Sequence, residues 1–352
     1  MGRTGSSRVT QRQIAELAGV SQATVSMVLN ERRDGPARIP DATRQRVLRL
    51  LQETHYVADP SARRLAGVDS QIVGVFTYEP AFPREAQDFY APLLTGIEAE
   101  AERMGCDLLV FTSAPVTEGR RRLFSGRSRL RLADGVLLLG VEMDSAELDR
   151  LVDEAFRVVA VGRRDSPRIP YVGIDYVSAA RDLVSRALGM GHTRVLSLHR
   201  GAPGESVADR RAGVLAACAD TGVDLEEVVA RPDDEGAAWD AIDRSQPSLV
   251  IVEDAPLAER LLESAGRRGI RIPEDLSVVA LSAPRQRDAA ESPLTCLDPP
   301  RIELGRRALA LLTSLLGDEE PPPEALRVLL ECPVRPGATL GGPGAVHGSP
   351  PA

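Results

Sequence analysis

Any chemistry in this chain has to be built largely from arginine. The 352 residues carry 43 basic side chains, none of them lysine, against 51 acidic ones. A guanidinium is a planar, permanently charged fork suited to phosphate and carboxylate oxygens, but it does not replace the lysine of a phosphate-binding loop or of a Schiff base. Walker-type nucleotide hydrolases, protein kinases and PLP enzymes are thereby excluded. The other reactive types are sparse. His55, His192, His199 and His347 show no His-Glu-x-x-His or other ligand spacing, so no metal site is expected. Cys106, Cys218, Cys296 and Cys332 lie far apart with no Cys-x-x-Cys pair, which predicts ordinary buried thiols rather than a zinc knot or a disulfide framework. Gly204-Glu205-Ser206-Val207-Ala208 begins like a nucleophile elbow but lacks its second glycine, and no histidine is placed to serve it. Neither an enzyme nor a cofactor is expected.

The arginines are unevenly shared. Residues 1–67 hold 11 of them against six acids, a net of +5, although the whole chain carries −8. The remaining 32 face 45 acids, a net of −13. A small basic module joined to a large acidic one is the electrostatic footprint of a nucleic-acid reader attached to something that does not touch nucleic acid. No apolar run reaches the roughly 18 residues of a membrane span, and Met1 to Ser7 is polar and basic with no apolar stretch after it. A soluble, cytoplasmic protein without membrane contact is therefore expected.

Within the basic module, Thr10 and Gln13 have the spacing of a capping box, and Ile14, Leu17 and Ala18 follow at helical intervals. Gly19 ends that helix. Ser21 can cap a second, Gln22 to Leu29, with Val25, Val28 and Leu29 facing inward. Asp41 can cap a third, running to about Glu53 with Val47, Leu50 and Leu51 as its apolar stripe. Two short helices joined by a glycine-containing turn form the helix-turn-helix pattern.

The stretch Val9-Thr10, Ile14-Ala15-Glu16-Leu17-Ala18-Gly19-Val20-Ser21, Thr24-Val25-Ser26 and Val28-Leu29-Asn30 resembles the headpiece of the LacI family of transcriptional repressors almost without gaps, and the resemblance continues through Thr43-Arg44 and Val47 to Tyr56. It implies that the second helix enters the major groove, its first exposed residues reading base edges and its hydroxyls holding phosphates. Gln22, Ala23 and Met27 then become the specificity candidates, with Thr10, Ser21, Thr24, Ser26 and Asn30 as further DNA contacts. Met27 stands where the family usually has arginine. A thioether offers only apolar contact such as a thymine methyl, so the operator is expected to differ from the common family site at that base pair.

Residues 58–69 resemble the family hinge, which folds on operator DNA and wedges a leucine into the minor groove. Leu65 falls at that position, with Ala62 and Arg63 also matching. Ala58-Asp59-Pro60 departs from the usual Pro-Asn pair, which leaves the start of a hinge helix open.

From residue 71 short apolar runs alternate with helix-length segments. Ile72–Phe76, Leu108–Phe111, Val136–Leu139, Val158–Val161, Val172–Ile174, Val195–Leu198, Leu249–Val252 and Val278–Leu281 read as buried strands. Helices fit at about 91–104, 145–156, 178–190, 206–221, 236–245, 255–268 and 300–316, an alternation that implies parallel sheets, two rather than one. Gly191-His192, Arg210 with Gly213, Asp254, Pro273 with Leu276 to Val279, Leu294-Thr295 with Leu304-Gly305, and Arg335 with Thr339 extend the family resemblance. The fold expected is an all-α headpiece, residues 1–57, joined to an α/β effector and dimerisation domain at 70–340. That domain has two doubly wound parallel-sheet lobes of periplasmic-binding-protein type, one at about 70–172 plus 298–325, the other at about 173–297 plus 326–340. The Gly/Pro-rich 341–352 reads as a disordered tail, without heptads that would make a tetramer.

The resemblance also implies a small-molecule effector, a sugar or related metabolite, between the lobes. Arg210 matches an arginine that donates to effector oxygens and Asp254 an acid that accepts from effector hydroxyls. Arg163 and Ser282 stand where the family often differs, since Gly162-Arg163 replaces Asp-Arg, and Ser282-Ala283 replaces acids. Two missing sugar-facing acids point to a less hydroxylated effector, or to an anionic one met by Arg163 or Arg210. Phe89 and Tyr90, in the expected loop before the first core helix, can stack on a ligand, and Trp239 reads as core.

The expected function is an effector-responsive, sequence-specific regulator, a repressor, that binds near-palindromic double-stranded operator DNA as a homodimer. The rivals are a solute-binding protein of the same core fold, disfavoured by the basic headpiece and the polar N-terminus, and an enzyme on the same layers, disfavoured by the missing nucleophile and metal constellations. Inducer and corepressor cannot be told apart from sequence.

Overall fold

The computed structural model describes residues 9–29, 39–54, 56, 70–79, 84–117, 120–124, 129–201, 204–231, 233–284, 292–319 and 321–343. The chain divides into two units, Met1–Ser70 and Gln71–Ala352.

In the first unit, α1 (Gln11–Ala18) opens on the expected capping box. The Gln13 amide donates to Thr10 Oγ1 at 3.3 Å, and the Thr10 amide donates to Gln13 Oε1 at 2.8 Å. Gly19 closes the helix in the left-handed region, at φ 61°, where its lack of a side chain costs nothing. Ser21 Oγ accepts from the Thr24 amide at 3.1 Å and so starts α2 (Gln22–Leu29). Helix α3 (Asp41–Glu53) differs from expectation at its start. Pro40 holds the cap position without a side-chain bond, and Asp41 lies in the first turn, where its charge suits the helix dipole instead. Ile14, Ala15, Ala18, Val25, Val28, Val47 and Leu51 close the core. Leu17, expected to face inward, is 62% exposed, because the buried stripe of this two-turn helix runs through Ala15 instead.

The second unit holds two six-stranded sheets. The first has the order β13-β7-β6-β5-β1-β2, all parallel, from β1 (Ile72–Thr77), β2 (Asp107–Phe111), β5 (Gly135–Leu139), β6 (Val158–Val161), β7 (Tyr171–Ile174) and β13 (Arg327–Leu330). The second has the order β14-β12-β11-β10-β8-β9. It contains β8 (Arg194–His199), β9 (Asp224–Val229), β10 (Leu249–Val252), β11 (Ser277–Ala280) and β12 (Thr295–Leu297), with β14 (Val334–Arg335) antiparallel at one edge. The hairpin of β3 (Val116–Thr117) and β4 (Arg120–Arg121) stands apart.

All eight expected strands form, and the chain crosses between the sheets three times, after β7, β12 and β13. Two boundaries move. β7 pairs wholly within the first sheet and β13 lies beside it, Arg327 opposite Tyr171, so the lobes divide after Ile174 and after Leu330 rather than at 172 and 325. β9 was not expected, because Asp-Leu-Glu-Glu-Val-Val is a polar edge strand with no buried apolar run.

Helices α4 (Arg84–Met104) and α10 (Arg301–Leu316) pack together on the first lobe, and α6 (Tyr176–Leu188) and α7 (Glu205–Thr221) on the second. The remaining helices are α5 (Ser145–Asp153), α8 (Glu235–Ser245) and α9 (Ala255–Arg267). The paired helices approach closely enough to require glycine. A Cβ on Gly305 would stand 2.1 Å from the Leu93 carbonyl oxygen, and one on Gly213 2.4 Å from that of Val177. Helix α4 starts seven residues before the expected position, carrying Pro92 inside it, so Phe89 and Tyr90 sit on a helix rather than in a loop. Residues 341–343 depart from the expected disordered tail. Gly341 donates its amide to Ser277 Oγ at 3.1 Å, and its carbonyl oxygen meets His192 Nε2 at 2.8 Å. Residues 344–352 lie outside the described residues.

Candidate functional site

Two places gather the predicted residues. In the headpiece, Thr10, Ser21, Gln22 and Ala23 are exposed, and Thr24, Ser26 and Met27 are half-buried. The Ser21 and Thr24 hydroxyls lie 2.9 Å apart and tie the turn to the second helix, so both are committed first to capping. Gln22 and Ala23 are the exposed side chains of that helix's first turn, and Met27 follows one turn later. Asn30, Ala62, Arg63 and Leu65, with the whole hinge, lie outside the described residues.

The second place is a cavity of about 460 Å³ within the second unit. It opens at the C-terminal ends of the parallel strands, the position where open α/β sheets bind ligands. Its first-lobe wall includes Glu79 after β1, Gly140 to Glu142 after β5, Gly162 to Arg164 after β6, and Phe89, Arg301 and Leu304 from helices. The second-lobe wall includes Tyr176, Ser206, Asp209 and Arg210 from helices, Arg200 after β8, Glu253 and Asp254 after β10, and Ser282 after β11.

Four of the five expected effector residues line it. Tyr90 does not. It is buried beneath the helix, 2% exposed, and donates its hydroxyl to Glu79 Oε2; burial, then the adjacent carboxylate, raises its pKa well above the ordinary tyrosine value. Its neighbour Phe89 takes the wall position. Arg163 is present but committed, its Nε and Nη2 forking onto both Asp209 oxygens at 2.6 and 2.7 Å while Nη1 reaches Asp165. The bond to Asp209, against an opposing cost of burial, raises this guanidinium's pKa further. Ser282 Oγ accepts from the Ala255 amide at 2.9 Å, which satisfies the start of α9.

Beside Arg163 stands Arg164, whose side chain is only 3% exposed. It donates to Glu205 Oε2 and to the Gly140 carbonyl oxygen, each at 2.7 Å. Glu205 and Asp209 are one helical turn apart on α7, so two consecutive arginines of the first lobe grip one face of a second-lobe helix. Arg210 Nη2 reaches Glu253 Oε1 at 3.1 Å, and its guanidinium lies 4.9 Å from the Tyr176 ring centre. Glu253 also accepts from the Arg200 amide at 2.8 Å. Asp254 Oδ2 lies 3.5 Å from Arg200. Four polar atoms of the lining are buried without a hydrogen-bond partner: Arg164 Nε, Arg210 Nε, Arg301 Nε and Asp254 Oδ1.

A helix-turn-helix joined to a two-lobed α/β unit with a polar interlobe cavity narrows the comparison. The family model for bacterial regulatory proteins, lacI family, matches residues 10–59, and that for a periplasmic binding protein-like domain matches 184–339. The HTH-type transcriptional regulator CelR of Thermobifida fusca is 28% identical over 340 residues, 92% of this chain and 96% of that protein. The chain is similar over nearly its whole length to transcriptional regulators of the LacI family. The repressor CytR of Escherichia coli strain K12 is likewise 28% identical over 319 residues, 86% of this chain and 88% of its own. Among solved structures, the CelR–cellobiose complex superposes with a TM-score of 0.63 at 25% identity, covering 94% of this chain and all of that one. The lac repressor dimer bound to operator and the anti-inducer ONPF shares the fold, with a TM-score of 0.70 at 19% identity over 94% and 99% of the two chains.

Against this LacI-family frame, sequence reasoning missed Glu79, Arg164, Tyr176, Glu205, Asp209 and Arg301. A usable signal was present for four residues of the grip. Arg163-Arg164 directly follows a buried strand, and Glu205 and Asp209 are spaced i, i+4 at the start of a helix.

Proposed function

We propose that this regulator is a repressor that binds a near-palindromic operator as a homodimer and answers to a small molecule held between its lobes. The observation carrying this reading is the interlobe cavity, about 460 Å³ with four orphaned polar atoms, in a chain whose separate basic unit presents a helix-turn-helix. Buried polar groups without partners cost about 1–3 kcal/mol each, and a ligand that meets them recovers that cost. The volume falls in the range of small-molecule sites. CelR with cellobiose and the lac repressor on operator DNA supply the precedent for both halves.

Regulation follows by linkage. A ligand that prefers one placement of the lobes shifts the chain toward it, and DNA that prefers another opposes the ligand by the same factor. Gln22, Ala23 and Met27 read base edges in this account, while Thr10, Ser21, Thr24, Ser26 and Asn30 support phosphate contacts. Ala62, Arg63 and Leu65 engage the minor groove. Arg210 and Asp254 meet the ligand directly, and Arg163 and Ser282 shape its surroundings. The chain acts in the cytoplasm and catalyses no reaction; among the described residues no helix is long and apolar enough to cross a membrane.

Binding-site selection with the full chain tests the reading. Enrichment of two half-sites related by a twofold axis is expected, with Met27→Arg changing the preferred base pair beneath residue 27. Enrichment of a single asymmetric site, or of nothing, refutes the dimeric repressor. An unchanged preference in Met27→Arg removes that side chain from the readout.

A further inference from the structure

The orphaned atoms of the cavity have a sign. Three are guanidinium nitrogens: Arg164 Nε, whose Nη atoms are already bound to Glu205 and the Gly140 carbonyl, Arg210 Nε from α7 of the second lobe, and Arg301 Nε from the first turn of α10, which packs on the first lobe. The fourth is a carboxylate oxygen, Asp254 Oδ1. Most charges of the lining are answered within the protein. Arg163 is held by Asp209 and Asp165, Arg164 by Glu205 and a backbone carbonyl, and Glu79 by the Tyr90 hydroxyl and the Val141 amide. Arg301 has no ion pair or side-chain hydrogen bond among the described residues. Its recorded companion is the Phe89 ring, 5.8 Å away. Arg210 Nη2 bonds Glu253 Oε1 at 3.1 Å, a carboxylate it shares with the Arg200 amide, and its guanidinium also meets the Tyr176 hydroxyl, while its Nε stays unpartnered.

The guanidiniums of Arg210 and Arg301 share one neighbourhood. Both act electrostatically on the Tyr176 hydroxyl and on the Cys332 thiol, against the burial that raises both groups and pushes the thiol up to about 12. A neutral polyol could meet both donors through separate hydroxyls but would leave their buried charge uncompensated. A carboxylate or phosphate offers several acceptor oxygens and also neutralises the cationic charge in a partly dry site.

Resting on the regulator reading above, we infer that the effector is a hydroxylated organic anion, its charged group between Arg210 and Arg301 and a hydroxyl donated to Asp254. This moves the anion partner from Arg163, which Asp209 already occupies, to Arg301. Because the two arginines come from different lobes, the anion would bridge them, coupling occupancy to lobe placement.

Isothermal titration of the full chain with D-gluconate, D-glucuronate and glucose 6-phosphate, against D-glucose and cellobiose at matched ionic strength, tests the inference. At least one anion should bind about tenfold more tightly than either neutral sugar, the worth of one charge-assisted hydrogen bond. Arg301→Gln should weaken that anion about tenfold, and Arg301→Lys should restore part of the loss. Gluconate or glucuronate alone would identify a carboxylate, glucose 6-phosphate alone a phosphate. Tighter binding of a neutral sugar, silence of all three anions, or undiminished anion binding by folded Arg301→Gln overturns it. Operator binding in the same samples separates the two readings. Operator released by a neutral sugar removes the anion and keeps the regulator, whereas anion binding by a chain with no operator affinity does the reverse.

Discussion

The headpiece and the interlobe cavity are built on opposite plans. The capping groups at the headpiece's first two helix starts lie within a few residues of their partners: Thr10 with Gln13, and Ser21 with Thr24. The cavity joins residues separated by 41 to 46 positions, Arg164 to Glu205, Arg163 to Asp209 and Arg210 to Glu253. Local capping specifies a rigid reading surface cheaply. The first two of these long-range pairs cross between the lobes and tie the site to a lobe arrangement, which is what a ligand-responsive element needs.

The sharpest way to break the contrast is Arg164→Ala. It leaves Glu205 and the Gly140 carbonyl without their buried donor and should cost the lobed unit about 3–5 kcal/mol. The single tryptophan, Trp239, buried as expected and donating to Ser264 Oγ at 2.8 Å, reports that unit's unfolding by fluorescence in denaturant. A midpoint within error of the native chain's would show that the grip contributes nothing. Ile14→Ala should cost the headpiece about 2–5 kcal/mol and abolish DNA binding while the Trp239 transition stays in place. If that transition moves as well, the two units do not melt independently. Thr10→Ala removes one cap, about 0.5–2 kcal/mol, and should lower operator affinity without changing the preferred sequence.

The smallest effect concerns pH. Burial lowers the pKa of His192, which sits between Ser248 and the Gly341 carbonyl oxygen. The unfolded chain therefore takes up the proton first. Stability from this group is full above the ordinary histidine value of about 6.5 and is lost as pH falls through it toward the lowered folded value. His192→Gln should flatten the Trp239 midpoint between roughly pH 7 and 5 relative to the native chain. An equal fall in both chains would assign the loss to other groups.

The same contrast explains what could be read from sequence. Helix starts such as Thr10 and Ser21 are legible because capping is local, and buried strands such as Val158–Val161 because parallel sheets demand apolar runs. Asp209 and Arg301 were not legible as site residues. Each is an ordinary charged residue on a helix until three crossings of the chain bring the strand ends together. Tyr90 shows the reverse error, since an aromatic pair near a site does not reveal which ring faces the cavity, and the helix turned Phe89 outward.

The central claim is that the basic headpiece reads a specific DNA sequence. Fluorescence anisotropy of the full chain on a duplex from its own upstream region, against a scrambled duplex over a salt series, tests it most directly. The account predicts at least about a thousandfold preference for the specific duplex, a steep fall of affinity with salt as counterions are released, and loss of both in Ile14→Ala. Equal affinity for the two duplexes, or specific binding that survives a destabilised headpiece, would contradict it.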